Sequence, residues 1–73
     1  MNVKINLRYP SGYIAKLDED FETGTCKEDM AEVFAEKLTR EYEKHSNKLD
    51  GRTRRRYKFG QYKIILNLLE RKL

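Results

Sequence analysis

The chain contains one cysteine, one histidine and one proline, and its four glycines are scattered singly. A lone cysteine excludes an intrachain disulfide, and Cys26 with His45 cannot by themselves build a zinc site. The isolated Gly12, Gly24, Gly51 and Gly60 supply no glycine-rich phosphate loop. Long apolar runs are missing as well. The longest is Ile64-Ile65-Leu66, far short of the roughly 20 residues that cross a bilayer. The N-terminal stretch alternates Val3, Ile5 and Leu7 with Lys4, Asn6 and Arg8, which is unlike an export signal. With a free thiol, these absences lead to the expectation of a cytoplasmic protein with no membrane partner.

Catalytic groupings are equally scarce. A cysteine nucleophile needs a base, and the lone His45 lies nineteen residues beyond Cys26. Along one helix that separation is about 28 Å at roughly 1.5 Å per residue, too far for a dyad. Ser11 falls in a turn and Ser46 at a helix end, neither in a nucleophile-elbow context. The acids Asp18, Asp20 and Glu22 alternate as in a calcium loop. That loop needs Gly sixth and Glu twelfth, where this sequence has Thr23 and Asp29. No enzyme activity, metal or cofactor is therefore expected.

What is present is charge, unevenly placed. Residues 1–50 carry eight Lys/Arg against eleven Asp/Glu, a net −3, whereas residues 51–73 carry eight against one, a net +7. The basic end is concentrated in Arg52-Thr53-Arg54-Arg55-Arg56-Tyr57-Lys58-Phe59, five cations and two rings in eight residues. Like charges this close repel, so solvent, an acidic surface or a polyanion has to accompany them. The residues expected to contact nucleic acid, DNA or RNA, are Arg52, Arg54, Arg55, Arg56 and Lys58 on phosphates, with Tyr57 stacking on a base. The competing reading is a protein-binding inhibitor or adaptor, acting through a hairpin edge or the acidic Asp18–Glu22 segment. A homodimer through the Leu-rich C-terminal segment is a further alternative. In outline, this plan resembles the small regulatory proteins of phages and mobile elements, an analogy at the level of architecture.

Seventy-three residues make a single domain, 1–73, and a chain this short buries only about 60% of its unfolded surface. Val3, Ile5, Leu7 and Tyr9 alternate with polar residues at the period of a half-buried strand. Pro10-Ser11-Gly12 supplies a three-residue turn, with glycine where a left-handed conformation is needed. That turn fixes a hairpin register: Leu7 opposite Ala15, Ile5 opposite Leu17, Arg8 opposite Ile14, Lys4 opposite Asp18. Residues 2–20 read as the hairpin, and Asp18–Gly24 is the stretch by which the chain leaves the sheet. Thr25-Cys26-Lys27-Glu28 reads as a capping box opening a long helix, with Asp50-Gly51 closing it. Its apolar stripe is Met30, Val33, Phe34, Lys37, Leu38, Tyr42, His45 and Leu49, leaving a mixed and wet outer face.

Tyr62, Ile65, Leu66, Leu69 and Leu73 fit one helical face, while Tyr62, Ile64, Leu66 and Leu68 fit a strand equally well. Length and the Leu-rich, Lys/Glu-containing tail favour a helix from about Gln61 to Lys72. Cations at a helix start oppose its dipole, so 54–59 reads as extended chain, open to pairing as a third strand. In that conformation Tyr57 and Phe59 turn to the core, and Arg54, Arg56 and Lys58 to solvent. The expected fold class is α+β: an antiparallel β-hairpin, with a third strand at 54–59 as an option, packed on one long amphipathic helix and a C-terminal helix.

Overall fold

In the computed structural model, which describes residues 1–46 and 48–72, the chain is an α+β domain. Strands β1 (Asn2–Arg8) and β2 (Ile14–Asp20) precede helices α1 (Lys27–His45) and α2 (Gly51–Lys72). The strands form an antiparallel pair whose register matches the one expected, from Arg8 opposite Ile14 to Lys4 opposite Asp18. The turn does what its residues dictate. The Tyr9 carbonyl accepts from the Gly12 amide at 2.9 Å, and Gly12 takes a φ of 90°, where a Cβ would be strained. Tyr9 and Tyr13 then face each other across the strand ends with rings 6.0 Å apart.

The hairpin extends to Asp20, the end expected for it. Asp18–Asp20 remain in β2 because each finds a partner there. Asn2 donates to Asp18 at 2.7 Å, the terminal amine sits 3.2 Å from Asp20, and Lys37 of α1 reaches Glu19. Thr25 departs from expectation. Its hydroxyl donates back to the Glu22 carbonyl at 2.7 Å, and Cys26 is the N-cap without a side-chain hydrogen bond. No capping box forms, since the turn with left-handed Gly24 has already claimed the threonine.

Helix α1 buries Met30, Ala31, Phe34, Ala35, Leu38 and Thr39, a stripe rotated from the expected one towards the alanines. Two methyl side chains let a neighbouring helix approach closely, which large residues at those positions would prevent. Thr39 satisfies its buried hydroxyl by donating to the Ala35 carbonyl at 2.8 Å. Val33 and Tyr42 are left largely in solvent. Helix α2 contributes Ile65 and Leu69, with Tyr62, Leu66 and Leu68 alongside, so the leucine-rich segment enters the chain's own core. Leu73 lies outside the described residues.

The largest correction concerns residues 51–60. Residues 54–59 are neither extended nor a third strand, because α2 begins at Gly51, ten residues before the expected start. Asp50 does not close α1, which ends at His45; it caps α2 instead. Its carboxylate accepts from the Thr53 amide at 2.8 Å and its carbonyl from the Arg54 amide at 2.8 Å. An anion at that end offsets the unfavourable cations. The two helices run in opposite directions, bringing the start of α2 beside the last turns of α1.

Candidate nucleic-acid interface

Winding Arg52–Phe59 into a helix rotates each residue about 100° from the last and sorts the cations onto two faces. Arg54 and Lys58, four residues apart, turn inward towards α1. The Arg54 guanidinium forks across two carboxylates: Nε donates to Glu43 at 3.0 Å, and Nη2 to the Glu36 oxygens at 2.8 and 3.2 Å. Lys58 Nζ lies 3.5 Å from Glu36 and 4.0 Å from Glu32. Glu36 and Glu43 are thus not on a wet outer face; they line the helix–helix seam, with side chains only 26% and 14% exposed. The hydrogen bond from Arg54, against a contrary push from desolvation, holds the Glu36 carboxyl below its ordinary value, and Lys58 and Arg40 add to the effect. Reciprocally, Glu36 and Glu43 raise the Arg54 guanidinium further above its already high value.

Arg52, Arg55 and Arg56 turn the other way and are exposed. Among the described residues none of the three meets a carboxylate; Arg55 Nε donates only to the Gly51 carbonyl, at 3.2 Å. The same face continues through Phe59 and Lys63. Phe59 is 55% exposed, not core-facing, and Lys63 Nζ stands 4.5 Å above its ring centroid. From Arg52 to Lys63 this face extends about 16 Å at roughly 1.5 Å per residue. It carries no acid over that length. Lys63 was missed as a member of the site, although the spacing 52, 55/56, 59, 63 is readable once the segment is known to be helical. Tyr57 lies apart from the arginines, packed on Tyr42 with ring centroids 4.7 Å apart. Burial raises its phenol pKa.

Of the six residues singled out from the sequence, then, the fold gathers Arg52, Arg55 and Arg56 on one outer face. It places Arg54 and Lys58 in ion pairs and Tyr57 against α1. The remaining reactive side chains do not converge. Cys26 is exposed rather than half-buried. A hydrogen bond from the Asp29 amide lowers its thiol pKa, but the Asp29 carboxylate, slight desolvation and the charge of Glu28 outweigh that, and the net shift is upward. His45 is exposed, its Nε2 2.9 Å from Glu41. Among the described residues no three His, Cys, Asp or Glu side chains are placed to hold a metal, and no helix is long and apolar enough to cross a membrane.

No protein-family model matches the chain, and comparison with curated proteins and with solved structures gives no match either.

Proposed function

We propose that this protein binds nucleic acid through the outward face of α2, with Arg52, Arg55, Arg56 and Lys63 on phosphates. The observation that carries the reading is a set of exposed cations kept at an energetic cost. Arg52 and Arg56 form a like-charge i,i+4 pair, and all three arginines sit in the helix's first turns, against its dipole. Each of those effects destabilises the fold by a few tenths of a kcal/mol. Asp50 caps the helix start, but no carboxylate among the described residues pairs with any of the three arginines. A polyanion relieves both effects, and a single helix fits a groove about 12 Å wide or lies along a strand's phosphates. Phe59 supplies a ring face beside them for apolar or stacking contact.

The test is binding of labelled duplex and single-stranded oligonucleotides across a salt series. With four phosphates neutralised, affinity falls about a hundredfold between roughly 50 and 200 mM salt. Absence of binding at low salt, or binding insensitive to salt, contradicts the proposal. The exposed thiol of Cys26 fits a reducing, cytosolic setting for such a role.

A second reading has its own observation. The sheet has two strands, so each has an outer edge without a neighbouring strand, and either edge offers backbone groups for strand addition by a protein partner. The acidic segment gives this reading little help, because Asp18, Glu19 and Asp20 are engaged by Asn2, Lys37 and the terminal amine. A single protein partner recovered by affinity purification and resistant to nuclease supports it over the first.

A further inference from the structure

Between the hairpin turn, the end of α1 and the second turn of α2 lies an open cleft of about 720 Å³. Its walls are four tyrosines, Tyr9, Tyr13, Tyr42 and Tyr57, with Leu38 and Gln61. Tyr13 is 56% and Tyr42 41% exposed, so two large rings lining the same cleft are held partly in water. The cleft continues into a smaller groove between β2 and α1, sharing Tyr13, Leu38 and Glu41 with it and bordered by Lys16, Arg40 and Lys44.

Aromatic clefts take aromatic rings or organic cations, and charge decides between them here. Glu41, the acid on the rim, is already within 2.9 Å of His45. Arg40 pairs with Glu36, but Lys16 and Lys44 meet no carboxylate among the described residues. The adjoining groove, with two uncompensated cations beside the cleft, repels a cationic guest and attracts an anion. Ring-stacking walls beside an anion site match one chemical unit, a planar base carrying a phosphate. The interior is suited to it in detail. Tyr9 donates to Gln61 Oε1 at 2.9 Å, which leaves the Gln61 amide nitrogen as a donor on the cleft wall. Burial keeps the Tyr9 and Tyr57 phenols neutral, that of Tyr9 pushed up to about 12.

We infer that this cleft receives one unpaired base of a single-stranded nucleic acid, stacked on Tyr13 and Tyr42, with the adjoining phosphate held by Lys16 and Lys44. The inference rests on the nucleic-acid reading of α2 and adds to it the state of the strand. Arg56 and Tyr57 are consecutive, so a strand on the outer face of α2 passes close to the cleft. A base in a duplex is already stacked and cannot enter, which makes single strands the preferred form.

The experiment uses a single-stranded oligonucleotide with one fluorescent purine analogue, and a duplex of the same sequence, titrated with the full chain. Binding of the wild type quenches the analogue in the single strand as it stacks on the tyrosines. The exposed double substitution Tyr13→Ala/Tyr42→Ala removes that quenching and weakens single-strand binding about tenfold or more, leaving duplex affinity within about twofold. Lys16→Glu/Lys44→Glu, in the adjoining groove and away from the core, gives the same selective loss and guards against a misfolded tyrosine variant. Single-strand binding without quenching, or quenching that survives both variants, overturns the cleft assignment while leaving the reading of α2 intact. Failure of the wild type to bind either oligonucleotide overturns both.

Discussion

Arg54 and Arg55 are neighbours in the chain, yet the fold gives them opposite surroundings. Arg54 is clamped between Glu36 and Glu43 with its side chain 29% exposed. Arg55 projects into solvent and touches only a backbone carbonyl. Lys58 shares the first environment, and Arg52, Arg56 and Lys63 share the second. The inner cations hold α2 against α1; the outer ones pair with no carboxylate among the described residues. A basic run is therefore not one surface, and its members separate by helical angle into those that serve the fold and those free to meet a partner.

The sharpest way to break this comparison is to reverse the outer set. Arg52→Glu/Arg55→Glu/Arg56→Glu lowers oligonucleotide affinity more than about a hundredfold at low salt, because three attractive contacts become repulsive. Its melting temperature stays level or rises, since acids suit the helix start. Anisotropy titration and a thermal melt read both halves of that statement.

The inner set responds in the opposite sense. Arg54→Ala leaves Glu36 and Glu43, both on α1, without the cation they share in a half-dry seam. Removing one partner leaves the other's charge uncompensated, a loss that partial exposure to solvent reduces, and the thermal midpoint falls measurably. Affinity of the folded fraction for nucleic acid is unchanged. Removing the cap has a smaller effect. Asp50→Ala leaves the Thr53 amide without its acceptor and lowers the unfolding midpoint in a denaturant titration.

The smallest effect is one of pH. Glu36 has its pKa lowered in the fold, first by the hydrogen bond from Arg54. Its contribution to stability is thus fully present above the ordinary glutamate value of 4.5 and is lost as pH falls through the depressed one. Glu36→Gln flattens the acid side of the stability profile and leaves oligonucleotide affinity at neutral pH as it was.

The hairpin was legible because two independent signals coincide in it: alternation from Val3 to Tyr9, and a turn whose glycine has one place to go. The helical stripe of α1 was legible in Met30, Phe34 and Leu38 but blurred by Ala31 and Ala35. Their burial reflects how closely α2 approaches rather than their own hydrophobicity. The start of α2 was hidden by a local rule that is sound in isolation. Cations oppose the helix dipole, but Asp50 caps this one, and Glu36 and Glu43 draw Arg54 inward from a distance no window of sequence contains. Those glutamates, seven residues apart on α1, matched against Arg54 and Lys58, four apart, form a pattern visible only after both segments are helical. The cleft was out of reach for the same reason, since its tyrosines come from three elements at positions 9–13, 42 and 57.

The claim on which the account turns is that the outer cations of α2 neutralise phosphates while the inner ones do not. It is tested most directly by the slope of log affinity against log salt, compared among the wild type, Arg52→Gln/Arg55→Gln/Arg56→Gln and Lys58→Gln. The account predicts that the triple substitution reduces the slope by about two to three and the Lys58 substitution leaves it unchanged. A slope untouched by the triple substitution, or one reduced as much per charge at Lys58, contradicts it.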